Sequence, residues 1–106
     1  MVYNIILICQ WGASTGMLVE KMLEAAAKKN IEVAINAYPE AKLDDYIGDA
    51  DIVLLAPQVR FKKDAFEEKY KANNVPFMVV DTADYGMLNG EKVLNAVFEK
   101  LENERR

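Results

Sequence analysis

Tyr3-Asn4-Ile5-Ile6-Leu7-Ile8-Cys9-Gln10-Trp11-Gly12-Ala13-Ser14-Thr15-Gly16-Met17-Leu18 is the stretch that decides the fold. Its first part, Tyr3 to Ile8, is a short apolar run rich in branched residues. Such a run suits a strand buried on both faces, as in a parallel sheet. The next part holds two glycines, a serine and a threonine, and no apolar period. From Ser14 to Lys29 the period changes to helical, with Leu18, Met22, Ala25 and Ala26 on one stripe. Asn30 is a suitable left-handed stop. Strand, loop and helix in this order open a βαβ unit.

The rest of the chain repeats the alternation. Ile52 to Ala56 and Phe77 to Val80 are further continuous apolar runs. Glu32-Val33-Ala34-Ile35-Asn36-Ala37 alternates and predicts an edge strand. Pro39 to Tyr46 has room for a short helix, and a second main helix is expected between Lys62 and Asn73. Asn89 is the expected N-cap of a last helix with Val93, Leu94, Val97, Phe98 and Leu101 on its stripe. The tail from Glu102 to Arg106 is polar and expected to fray. Met17, Met22, Met78 and Met87 are expected as core filler. The pattern predicts one domain over residues 1–106. Its expected architecture is a small three-layer α/β sandwich with a four-stranded parallel sheet flanked by helices. In such sheets ligands bind beyond the carboxyl ends of the strands, which selects loops 9–16, 38–48, 57–62 and 81–90.

Composition narrows the chemistry. The 106 residues carry 13 Lys+Arg against 17 Asp+Glu, a net charge of -4, which leaves no basic footprint for nucleic acid. With one cysteine and no histidine, the chain has no internal disulfide, no Ser-His-Asp or Cys-His pair and no His-ligated metal. The first apolar run is too short for a signal peptide or a membrane span, so a cytoplasmic place is expected. Chemistry must come from carboxylates, lysines, backbone amides or Cys9.

Cys9 after an apolar strand reads as a small core residue, or as a nucleophile at the mouth of its loop. The loop favours the second reading. Residues Gln10, Trp11, Gly12, Ala13, Ser14, Thr15 and Gly16 can curl backbone amides around one point, a phosphate-binding arrangement like that of thiolate phosphatases. The same amides would stabilise a thiolate. In those phosphatases, however, an arginine stands six residues after the cysteine. Here that position is Thr15. Without a bidentate clamp on the transferring phosphoryl, a phosphocysteine should resist water and wait for a better acceptor. That describes a carrier. The alternative is a low-molecular-weight thiolate phosphatase or an arsenate-reductase-like enzyme, against which Thr15 and the lack of a second cysteine speak.

Cys9-x-x-Gly12-Ala13-Ser14-Thr15-Gly16-Met17-Leu18 resembles the active loop of the IIB components of the sugar phosphotransferase system, in the lactose, cellobiose and chitobiose class. Asp49 to Gln58, Val80-Asp81, Tyr85-Gly86 and Gly90 resemble further family stretches, so the likeness covers almost the whole chain. Trp11, where small residues are usual, and the basic Arg60-Phe61-Lys62-Lys63 depart from it. The resemblance implies that Cys9 takes phosphate from a phosphohistidine of a IIA protein. It then passes it to a sugar, such as cellobiose, lactose or chitobiose, held by the membrane transporter IIC. It implies no cofactor and no metal, a protein-phosphocysteine–sugar phosphotransferase activity, and transient association with the inner face of the membrane through IIC. A monomer that docks transiently is expected.

Other residues read two ways. Trp11 is a docking anchor or a ring folded over its loop. Arg60, Lys62 and Lys63 approach the phosphoryl, meet an acidic partner, or form a solvated helix start. Gln58 holds the loop or touches a partner. Asp81 caps the following turn or orients loop amides. Tyr85 covers the mouth of the site or packs.

Overall fold

The computed structural model describes residues 2–10 and 15–104, with the side chain of Thr15 excepted. Trp11, Gly12, Ala13 and Ser14 lie outside the described residues. Four strands, β1 (Tyr3–Cys9), β2 (Val33–Pro39), β3 (Ile52–Leu55) and β4 (Phe77–Val79), form one parallel sheet in the order β2-β1-β3-β4. The helices are α1 (Thr15–Lys28), α2 (Leu43–Tyr46), α3 (Lys63–Lys69), α4 (Thr82–Gly86) and α5 (Gly90–Glu104). Right-handed crossovers put α1 and α3 on opposite faces. α5 packs beside α1, and α3 packs on β4. This is the three-layer sandwich the alternation predicts.

Burial explains the order. β1 and β3 hold the two centre positions, and Ile5, Leu7, Ile8, Ile52, Val53, Leu54 and Leu55 are all wholly buried. β2, the alternating strand, stands at an edge as expected. The Phe77 to Val80 run corrects the expectation of burial on both faces. It forms the other edge, where Met78 and Val79 are only half-buried. Its apolar content serves α3 instead: the Phe77 ring stacks 6.0 Å from Phe66.

The turn residues act as their chemistry dictates. Asn30 takes φ 56. Beyond it Ile31 N donates to the Ala26 carbonyl at 3.0 Å, closing α1 with a left-handed cap. Asn74 (φ 53) closes the turn after α3 in the same way, just before the Val75-Pro76 step. Asn89 caps α5 by accepting from Lys92 N at 3.1 Å. Two expectations fail. The polar tail does not fray at Glu102: α5 continues to Glu104, supported by a Lys100–Glu104 pair one turn apart at 3.1 Å. Met17 and Met87 are not core filler, being 57% and 71% exposed, whereas Met22 is wholly buried.

One buried tyrosine ties α3 to α2. The Tyr70 hydroxyl donates to Asp44 Oδ1 at 2.6 Å. Burial, then that bond, then the charges of Asp44 and Glu40 raise its pKa above the ordinary 10.0. The sign follows. Above about pH 10 the unfolded chain loses this proton while the folded chain keeps it. The contribution is therefore complete below pH 10 and falls as pH rises further. Tyr70→Phe is expected to cost about 1 kcal/mol at neutral pH. Its melting temperature should fall less steeply than wild type between pH 9 and 11. Parallel wild-type and variant curves would show that Tyr70 carries no such linkage.

Candidate functional site

The carboxyl ends of the strands are brought level by the ladder. Cys9 pairs with Pro39, Ile8 with Leu55, and Leu55 with Val79. Beyond the ladder, Ala56 N donates to the Ile8 carbonyl and Val80 N to the Leu55 carbonyl, each at 2.9 Å. Strand order reverses between β1 and β3: the chain leaves β1 for β2 on one side and returns to β3 on the other. Cys9 ends β1 at this switch point, where open α/β sheets bind their ligands.

Side-chain alternation fixes the face. Tyr3 meets Phe98 of α5 edge to face at 4.9 Å. With period 2, Ile5, Leu7 and Cys9 share that face, the one covered by α1 and α5. Cys9 is 4% exposed, at the rim of the core. The sequence then crosses directly to Thr15, where α1 begins, so the loop from Gln10 joins the thiol to a helix N-terminus. Gln10 is exposed. Gly16 lies in the first turn of α1, and a Cβ there would meet nothing within 4 Å. The amide cradle expected of residues 11–14 lies outside the described residues.

The remaining candidates divide. Gln58 and Arg60 lie on a 3-10 segment, Pro57–Lys62, which starts beside the end of β1. Gln58 is exposed. Arg60 Nη1 donates to the Pro57 carbonyl at 2.8 Å, so its guanidinium braces its own turn. Lys62 pairs with Glu40 and Lys63 with Glu67. Asp81 takes the capping reading: it is the N-cap of α4 and accepts from Asp84 N at 3.1 Å. Tyr85 packs, at 9% exposure, within the core. The structure thus brings Cys9, Gln10, Gln58 and Asp81 to one end of the sheet and buries Tyr85 below it.

Sequence reasoning missed two features. Helix α4 spans only five residues, too short to show a period; its signal was Asp81 three residues before Asp84. The second is the role of Gly90. A Cβ on it would stand 2.3 Å from the Lys21 carbonyl carbon, so this glycine lets α5 start against the α1 backbone. Glycine directly after an N-cap was the available sign.

The fold and site define an α/β protein of the parallel four-stranded sandwich class whose single cysteine stands at the switch point, just before a helix. Comparison resolves which one. The family described as "PTS system, Lactose/Cellobiose specific IIB subunit" matches residues 4–96, and the chain belongs to it. The galactose-specific EIIB component of Lactococcus lactis subsp. cremoris (strain MG1363) is 39% identical over 104 residues, 93% of this chain and 95% of that protein. The oligo-beta-mannoside-specific EIIB component of Bacillus subtilis (strain 168) is 33% identical over 101 residues, 95% of this chain and 98% of that protein. Among solved structures, the cellobiose-specific IIB component from Borrelia burgdorferi is 41% identical with a TM-score of 0.81, covering 98% of this chain and 95% of that one. The lactose-specific IIB domain from Streptococcus pneumoniae, at 21% identity and a TM-score of 0.84, covers 93% of this chain and 97% of that one and shows the shared fold. The protein is a IIB component of the sugar phosphotransferase system, and the comparisons do not favour the hydrolytic and redox alternatives.

Proposed function

We propose that Cys9 is the phosphate carrier of this IIB protein. The observation that carries the reading is the placement of the chain's only cysteine at the β1 carboxyl end, on the α1 face, at the switch point of the sheet. In the first step the thiolate attacks the phosphorus of a phosphohistidine on a IIA protein. The S–P bond forms, the N–P bond breaks, and the imidazole leaves. In the second step a hydroxyl of a sugar held by the membrane component IIC attacks the same phosphorus. The O–P bond forms, the S–P bond breaks, the thiolate returns, and the hydroxyl proton passes to a base on the acceptor side. No histidine in this chain competes for the phosphate. Amides of residues 10–16, with the Ser14 and Thr15 hydroxyls, hold the charged phosphoryl oxygens.

The sugar class comes from the relatives, which are named for galactose, cellobiose and oligo-beta-mannosides. A β-linked disaccharide is the proposed acceptor. The work is done in the cytoplasm, with docking to IIC at the inner membrane face. Among the described residues no helix is long and apolar enough to cross a membrane.

Mixing the protein with phosphorylated IIA and measuring intact mass tests the reading; wild type should gain one phosphoryl group. Gly12→Val and Ser14→Pro should slow that gain by about tenfold or more while the circular dichroism stays that of wild type, because each disturbs amides at the phosphate. Undiminished rates in both variants would remove the cradle from the mechanism.

A further inference from the structure

Among the described residues, Asn30, Asn74 and Leu88 take a positive φ without being glycine. The asparagines tolerate the left-handed region. Leu88, at φ 55, is a bulky residue for which that backbone is strained. Its place in the chain explains the angle. Asn89 N donates to the Asp84 carbonyl at 2.8 Å, and Leu88 N to the Tyr85 carbonyl at 3.2 Å. These two bonds close a helix on a left-handed residue, a position that glycine ordinarily fills. Helix α4 is thus little more than one turn long and ends on a strained cap. Packing holds it shut: Tyr85 is buried, and Leu88 is half-buried against the core.

The strained segment borders the face of the thiol. It leaves the end of β4 at Asp81, and α4 packs on α5. It then brings Gly90 against the Lys21 backbone of α1. It therefore passes the carboxyl end of β3 on the face that α1 and α5 cover and Cys9 shares. Cys9 is only 4% exposed, yet a partner's phosphorus has to come into line with its sulfur. A covering segment on that face has to open. We propose that residues 82–89 form a strained lid on the Cys9 face, hinged at Leu88, an inference that rests on the carrier reading of Cys9. Strain at Leu88 raises the energy of the closed turn and leaves that of the open turn unchanged. A left-handed residue with a Cβ shifts such an equilibrium toward opening by about 5–30-fold. Strain of this kind persists where the surrounding packing over-determines it, and it makes an element bistable. Opening breaks the two bonds of the cap and draws Tyr85 and Leu88 off the core.

The experiment compares Leu88→Gly with Leu88→Ala. Both lose the leucine side chain, but only glycine relieves the strain. Leu88→Gly should therefore melt about 4 °C or more above Leu88→Ala, the reverse of their order in a helix. Because the chain has one cysteine, alkylation by iodoacetamide reads access to Cys9 directly. Rates are compared at the plateau of their pH profiles, so that thiol ionisation does not enter. Leu88→Ala should react about fivefold faster than Leu88→Gly, or more. Deuterium exchange at the Asn89 amide should differ in the same ratio. Equal alkylation would place access to Cys9 in residues 10–16 alone and overturn the lid. So would an alkylation difference without a matching change at Asn89, or a Leu88→Gly protein that melts below Leu88→Ala. None of these readouts needs phosphate. A wild type that gains no phosphate by mass would end the carrier reading and leave these rates as they are.

Discussion

Cys9→Ser is expected to abolish phosphoryl uptake from phosphorylated IIA, lowering its rate by about 10³-fold or more, as loss of a nucleophile does elsewhere. The reason is chemical. A sulfur anion is a strong nucleophile, whereas an unactivated hydroxyl is a weak one. A serine hydroxyl in the same place would need a base to activate it, and the chain has no histidine to serve as one. The fold should survive. Sulfur to oxygen is a small change in volume, and Cys9 sits at the rim with 4% exposure. Placing a hydroxyl there costs about 1–3 kcal/mol at most. Intact mass after mixing with phosphorylated IIA reads the first effect and thermal melting reads the second. Cys9→Ala supplies a variant without a polar atom. A Cys9→Ser protein that gains phosphate as fast as wild type would end the carrier reading.

The second large effect concerns stability. Gly90→Ala should lower it by about 3 kcal/mol, the upper part of the ordinary range for overpacking. Two effects oppose each other. Alanine is favoured over glycine in a helix interior by about 1 kcal/mol, and by less at a first position. Against this, the added Cβ would lie 2.3 Å from the Lys21 carbonyl carbon and 2.5 Å from the Lys21 oxygen and the Met22 nitrogen. All three are backbone atoms, so no side-chain rotation relieves the clash. One helix must move off the other, and the buried stripe of Val93, Leu94 and Val97 moves with it. The clash therefore wins. At about 4–8 °C per kcal/mol for a small domain, the melting temperature should drop by more than about 10 °C. Gly86→Ala is the control, because a Cβ there meets nothing within 4 Å, and it should melt near wild type. Equal melting of Gly90→Ala and wild type would show that α1 and α5 are not held by this close approach. Since α1 begins directly after the cysteine loop, a Gly90→Ala protein that stays folded in the cold should also take up phosphate more slowly.

Different kinds of residue were legible to different degrees. β1, β3 and α5 were readable because their signals are local. A run of branched apolar residues has no better place than a sheet interior. Asn30 marks an end through its tolerance of the left-handed backbone and Asn89 through its side-chain cap, preferences that hold in any context. Helix α4 was not readable, because one turn carries no period. The exposure of Met17 and Met87 was not readable either, since a methionine at helical spacing looks the same whether a neighbour covers it or not. The same limit hid Phe61. Its neighbours announced a basic cluster, and only the contacts of Lys62 with Glu40 and of Arg60 with the Pro57 carbonyl leave the aromatic ring as the exposed apolar group of that turn.

The sequence by itself determined the alternation of strands and helices, the parallel sheet, and the place of Cys9 between an apolar strand and a glycine-bearing loop. These follow from period, propensity and spacing, which act between residues close along the chain. The tertiary structure alone decided which apolar strand becomes an edge, that Tyr85 is buried, and that Gly90 must have no side chain. Each of these depends on what another segment, distant in sequence, places within a few ångströms, and no local pattern encodes that neighbour.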